Sequence, residues 1–551
     1  MCFWACVAAA TNCKKKISSR AADLVGDDTA AINAFKANPA LAFSQFTQRV
    51  GKAKKSGSPG SARTPEGGSG ASTPTAGLEQ IDGHLAAQLK RLGKHDAKTK
   101  MRALFELKAY VEEHTLETGL DGMLLAWPAQ FRRHVFDADR RVRASVAQVH
   151  AELVAKAGRR LAACLKLVAA PWVAAFFDPH RDVARAARQA FDAVFPDTKR
   201  AQALAFCMGE LLEFAADNIV HQTPESMSDP RFADAEEMRS KYEHVVGASF
   251  GVLALVVEET AAARLLESRA AFGAVLESRR MLDMLGSPSP YIRRSIYRLI
   301  RAIMLKSPEL AAGSHSAVAR ALLKHCFADS DPNAHGDMWD AVLLTTKSFP
   351  RVWVPEPAKK PAPIERMFEF LRTRCRLAPT ISYPSVLALL AQLPSEVLDA
   401  PSFQQEFNAA LCQAISSEAT EGARTSHREG VALVTAICEC SAFLWTRTLK
   451  STDDQGVVAA VGKEAAKQID RLWHCYLMRP ESAEELSEPI VRLYCKIESL
   501  AKYDRELLAR VWAQSSWFAL QRLTGPAIHP IVHLVSQAAL LDASAHAELV
   551  A

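Results

Sequence analysis

The sequence predicts an all-α protein, a solenoid of helical hairpins behind a disordered N-terminal tail. Three observations predict it. The stretch Phe136-Asp137-Ala138-Asp139-Arg140-Arg141-Val142-Arg143 returns in altered form as Phe177-Asp178-Pro179-His180-Arg181-Asp182-Val183-Ala184-Arg185, and 177 − 136 gives an offset of 41 residues. That period lies in the range of HEAT and armadillo repeats, whose helical hairpins stack one on the next. Apolar residues recur every three or four positions, so each helix offers one stripe that a neighbour must cover. Glycine is sparse, at 25 of 551 residues, while alanine and leucine, both strong helix formers, are abundant.

In chain order, residues 1–76 read as a disordered low-complexity tail. Ser56 to Gly77 is nearly all Ser, Gly, Pro, Thr and Ala, and such a segment buries too little apolar surface to offset its ordering entropy. From 77 to 350 the pattern is a HEAT-like helical domain. Leu78, Ile81, Leu85, Leu89 and Leu92 share one helix face. Asp96 is placed as the N-cap of a helix that turns Met101, Leu104, Leu107 and Val111 inward. Leu120, Leu124, Trp127 and Phe131 continue the scheme, followed by Val142, Val146, Val149 and Leu153. A polar loop runs from Gln222 to Ala235, and Ser287-Pro288-Ser289-Pro290 and Asp329-Ser330-Asp331-Pro332 each open a further helix. Five prolines between Pro350 and Pro363 predict a linker or long loop. Helical repeats then continue over 364–551.

The residues hold no recognisable active site. Gly67-Gly68-Ser69-Gly70 lies in the low-complexity tail, without the strand and helix that a phosphate-binding loop requires. His529 and His533 have the spacing of two zinc ligands, but Pro530 follows the first and no third ligand lies nearby. The 12 cysteines are scattered without a Cys-x-x-Cys pair, which suits reduced thiols in the cytosol. No apolar run approaches the roughly 20 residues of a membrane span, so no membrane partner is expected. No metal or cofactor is expected in this chain either.

Charge is the more informative signal. The chain carries a net +6, yet Lys90 to Lys166 alone holds 16 Lys/Arg against 9 Asp/Glu, a local 16 − 9 = +7. Arg132, Arg133, Arg140, Arg143, Arg159 and Arg160 are the candidate RNA contacts, because phosphate binding is electrostatic and sequence-independent. Asp139, Arg141 and Asp182 are the candidates for a structural ladder, in which an acid of one inter-helix turn meets an arginine of the next.

Several islands carry a resemblance. Trp127-Pro128, Asp137 to Arg143, Ala190 to Pro196, Thr223 to Pro230, Asp329 to Pro332 and Trp339 to Leu343 resemble, in order and spacing, the N-terminal region of the listerin family. The likeness spans roughly residues 17–395. It implies a RING-type E3 ubiquitin ligase of ribosome-associated quality control. Its N-terminal domain would dock on large ribosomal subunits, rRNA and ribosomal proteins alike, that carry stalled nascent chains. It would also meet the partner protein that marks such subunits. A ubiquitin-conjugating enzyme would be recruited only through a zinc-binding RING. This sequence has no paired Cys/His array, so zinc is expected only in a RING outside it, and ligase activity is not expected from this chain alone. The rival expectation is a HEAT-repeat transport receptor or assembly scaffold unconnected with ubiquitin.

Overall fold

The computed structural model describes residues 82–477, with brief interruptions, and scattered positions between 489 and 496. The expected tail over 1–76, and His529 and His533, lie outside the described residues. Among those described, every regular element is helical. They fall into two compact units, Met1–Ala261 and Ala262–Ala551, which divide inside the first helical domain read from the sequence.

The first unit runs α1 (Gly83–Leu92), α2 (Ala97–Glu113), α3 (Asp121–His134), α4 (Arg140–Ala157), α5 (Leu165–Ala174), α6 (Arg181–Val194), α7 (Asp197–Phe206), α8 (Met208–Val220), the short α9 (Pro224–Met227) and the long α10 (Ala235–Glu259). Helices α2, α4 and α6 pack side by side in one layer, α1, α3, α5 and α8 line the other, and α10 covers α5 and α8. The expected stripes are the buried faces: Leu104, Leu107 and Val111 on α2, Trp127 and Phe131 on α3, and Val142, Val146, Val149 and Leu153 on α4. Asp96 caps α2 by accepting from the Thr99 backbone N–H at 2.8 Å.

Two side chains tie the layers of this core together through hydrogen bonds. The Trp127 indole donates to His150 Nδ1 at 3.1 Å, and burial drives the His150 pKa down to about 3, which keeps the ring a neutral acceptor. Lys156 Nζ, near the end of α4, donates to the carbonyls of Val111 and Glu112 at 2.7 and 2.6 Å. These are orphan acceptors at the C-terminus of α2. Gly119 adopts φ +140°, and a Cβ there would lie 2.5 Å from the Tyr110 hydroxyl, so the turn between α2 and α3 demands glycine.

The second unit comprises α11 (Ala262–Glu267), α12 (Arg269–Leu276), α13 (Arg279–Met284), α14 (Pro290–Lys306), α15 (His315–His325), α16 (His335–Ser348), α17 (Pro363–Arg372), α18 (Pro379–Leu390), α19 (Ser395–Leu398), α20 (Phe403–Thr420), α21 (His427–Ser451) and α22 (Gln455–Leu477). Helices α14, α16, α18 and α21 form one layer, and α13, α15, α17 and α20 the other. The long apolar α21 packs against α18, α20 and α22 as a core helix. The expected linker after Pro350 is corrected in part. Pro350–Trp353 forms a 3-10 turn, and Trp353 is fully buried with its indole donating to Thr346 Oγ1 at 2.9 Å. The tryptophan anchors what the prolines alone mark as loop.

Candidate nucleic-acid interface

One rung geometry recurs in each unit, at turns that open the helices of one of its layers. Arg143, one turn into α4, sends Nε and Nη2 to the Asp178 carboxylate at 2.7 and 3.1 Å. Its Nη1 donates to the Asp137 and Ala138 carbonyls of its own turn, at 2.9 and 3.2 Å. Arg293 in α14 repeats this on Asp329, at 2.8 and 2.6 Å, and on the Ser287 and Pro288 carbonyls. The carboxylates also hold their own turns, since Asp137, Asp178 and Asp329 accept the backbone N–H two residues on. Lys100 reaches Asp137 at 2.6 Å. His335, which stands six residues after Asp329 as Arg143 does after Asp137, bridges the Asp329 carbonyl and Ser382 Oγ at 3.0 and 3.2 Å. After Asp178 that place is taken by Ala184, and the series stops.

This corrects four expected roles. Arg143 is not an RNA contact, because its side chain is buried in the rung. Asp139 and Arg141 pair with each other at 2.7 Å within one exposed turn, and Asp182 pairs with Arg185 of its own helix at 2.6 Å. None of the three crosses to another hairpin. A rung needs a side chain on the inward face of the helix, and 139, 141 and 182 project outward. The usable signal was the first aspartate of each copy, Asp137 and Asp178, with the arginine six residues after the first of them.

The remaining arginines do not form one patch. Arg132 and Arg133 end α3 and Arg140 opens α4, so they share the edge that carries the turns. Arg159 lies 159 − 140 = 19 residues further on, about 28 Å away along the helix at 1.5 Å per residue. The turn edge collects exposed Lys90, Arg91, Lys94, Lys98, Arg132, Arg133, Arg140, Arg141 and Arg181. Arg132 and Arg133 make no ion pair among the described residues, and Arg140 bonds to His180 Nε2 at 2.7 Å rather than to a carboxylate. Basic residues in the last turns of α1 and α3 also complement the helix dipoles.

At the opposite edge, Arg160 pairs with Asp121 at 2.5 Å. Arg159 lines a groove of about 960 Å³ across the ends of α4 and α6, with Lys199 and Phe206 on its rim and Ala151, Ala155 and Ala190 among the lining residues.

Beside the turn edge, the segment from Gln222 to Asp234 is fixed in place. Thr223 and Ser226 cap α9 reciprocally, Asp229 holds Arg231 at 2.6 Å, and Phe232 stacks on His95 with ring centroids 3.6 Å apart. Lys241 on α10 donates to the Met227 carbonyl at 2.7 Å. Below it, Asp137 meets Lys100 at 2.6 Å and His134 Nδ1 at 3.7 Å. Burial raises the Asp137 pKa, but His134 and Lys100 outweigh it and hold it at about 2.

A family model described as E3 ubiquitin-protein ligase listerin, N-terminal domain, matches residues 80–393, more than half of the chain. The chain belongs to the listerin family. It is 28% identical to listerin of Mus musculus over 453 residues, 81% of this chain and 25% of that protein. It is 30% identical to listerin of Xenopus tropicalis over 335 residues, 60% of this chain and 19% of that protein. It thus spans a quarter or less of these relatives' length. A crystal structure of importin beta is similar over 82% of this chain and 54% of its own, at 14% identity and a TM-score of 0.39. In this listerin-family chain the islands first noticed in the sequence are structural joints. Trp127 holds His150, Asp137 and Asp329 anchor rungs, and Thr223 to Pro230 builds the segment beside the basic edge.

Proposed function

We propose that this chain is the docking part of a listerin-type E3 ubiquitin ligase, and that the turn edge of its first unit sits on rRNA of large ribosomal subunits carrying stalled nascent chains. The observation that carries the reading is the row of exposed cations, with Arg132 and Arg133 unpaired among the described residues, along a single edge. A polyanion with a regular charge spacing suits such a row better than a small anionic ligand does. The neighbouring surface would meet ribosomal proteins and the partner that marks stalled subunits, in the cytosol. The family's RING zinc does not fit here: among the described residues no three His, Cys, Asp or Glu side chains gather to hold a metal. The conjugating enzyme and ubiquitin transfer therefore belong to the RING, and no step of that reaction is assigned to these residues.

The test is binding to isolated large subunits across a salt series. Changing Arg132, Arg133 and Arg140 together to Glu should weaken binding and lower the slope of log affinity against log salt by about 3, roughly one for each lost phosphate contact. Unaltered binding would refute the docking edge. Changing Arg159 and Arg160 to Glu should leave subunit affinity as it is.

A second reading, a scaffold that holds peptide segments, is favoured by the groove at the opposite edge. Filling it through Ala190→Trp would abolish partner capture on that reading while sparing subunit binding.

A further inference from the structure

Under the Gln222–Asp234 segment, Lys241 carries a charge that no carboxylate balances within ion-pair distance among the described residues. We infer that Lys100, Arg133 and Lys241, with His134 beside them, form a pocket for one phosphate oxyanion, and that its occupant is a phosphodiester of RNA. The inference rests on the RNA-docking reading and deepens it, by separating one seated phosphate from the diffuse contacts of the exposed row.

Lys100 pairs with Asp137 at 2.6 Å, and Lys241 stands one turn before His244, whose ring packs on Phe136 next to that carboxylate. Asp137 is already engaged. Its Oδ2 takes Lys100 at 2.6 Å and its Oδ1 takes the Asp139 backbone N–H at 3.0 Å. Lys241 has no acidic partner within ion-pair distance among the described residues, and its hydrogen bond goes to the neutral Met227 carbonyl. An ammonium has three donors, so Lys241 retains capacity for an acceptor. His134 is 3% exposed and its Nε2 is buried with no hydrogen-bond partner. Arg133 reaches the neighbouring turn after α1, its Nη1 lying 3.9 Å from where a side chain on Gly93 would begin.

The electrostatics agree with this grouping. Burial lowers the Lys241 pKa below its ordinary value, Asp137 opposes that, and Lys100 and Arg133 reinforce it. Lys100 has only 14% of its side chain exposed. Partly buried charges are costly unless an opposite charge and hydrogen bonds satisfy them. A phosphate supplies both, offering acceptor oxygens to several donors at once.

RNA fits better than a phosphorylated side chain for two reasons. Exposed Lys94, Lys98 and Arg132 flank the pocket, which would leave a single phosphoryl group with most of the cations unused. Phe232, 55% exposed and stacked on His95, offers an aromatic edge beside it, and aromatic side chains accept unstacked bases without sequence preference.

The experiment uses the full chain and reads thermal unfolding in sodium phosphate against sodium chloride at equal ionic strength. Phosphate should raise the midpoint, and saturating poly(U) should remove that added protection by occupying the same place. Lys241→Met, which keeps the aliphatic stem, should lose the phosphate effect, weaken poly(U) binding about tenfold and lower the salt slope by about 1. Lys241→Arg should restore both. Equal phosphate protection in the wild type and Lys241→Met would overturn the pocket, as would phosphate protection that persists in saturating poly(U). A Lys241→Met defect confined to a phosphoserine peptide would overturn the choice of RNA. If subunit binding proves indifferent to Arg132→Glu with Arg140→Glu while the phosphate effect still depends on Lys241, the docking reading fails and the pocket stands.

Discussion

The two units use arginine differently on layers built alike. In the second unit, Arg294, Arg298 and Arg301 face outward from α14, and the neighbouring α16 answers each of them. Asp337 takes Arg294 and Arg298 at 3.4 and 3.1 Å, and Asp340 takes Arg301 at 3.1 Å. In the first unit, Arg132 and Arg133 have no such answer among the described residues. Both units also bury a rung arginine on an aspartate. Counting arginines therefore does not find a binding surface. What distinguishes the first unit is the charge left over after its neighbours have been satisfied.

The comparison is most severely tested at the rungs. Arg143→Ala and Arg293→Ala each strand a buried aspartate, and each should cost about 3–5 kcal/mol in denaturant unfolding. Arg141→Ala removes an exposed pair and should leave the midpoint unmoved. Equal effects from all three would erase the distinction between rung and surface. A second test makes the second unit resemble the first. Asp337→Asn releases Arg294 and Arg298, and poly(U) affinity at low salt should rise severalfold, with a steeper salt slope. No gain would mean that uncompensated charge alone does not create an RNA surface.

The smallest effect is in pH. His150 and His244 of the first unit are buried, which depresses their pKa values from 6.5 to about 3 and about 4. The unfolded chain takes up these protons first, so stability is full above pH 6.5 and falls as pH drops towards 3. The Asp137 contribution, present above its ordinary 3.8, is lost only as pH falls through about 2. His150→Gln should flatten the decline in midpoint between pH 6.5 and 4.

The helices were legible because their stripes follow from local spacing, and Asp96 was legible as a cap because its partner lies three residues on. The rungs were only half legible. The repeated Asp137 and Asp178 stood in the sequence, but which arginine turns inward depends on helix phase beneath the turn, and Arg143 and Arg141 look alike in a string. The candidate surface was less legible still. Arg133 and Arg159 are separated by one helix, and sequence proximity hid the fact that a helix carries its two ends to opposite edges. Lys241 is drawn into the cluster from more than a hundred positions away by the packing of α10, which no local motif announces.

Ala184 has a mechanical consequence. Where an arginine would tie α6 forward, the chain places a methyl group, and Asp178, already held by Arg143, is also approached by His244 Nε2 at 3.5 Å, from α10. The hairpins before this point are riveted in series, and the next connection relies on packing around a neutral imidazole. A pull on the chain should part the stack first at this seam, with α2 to α6 released as one block. The rung series thus ends beside the segment that bears the basic edge.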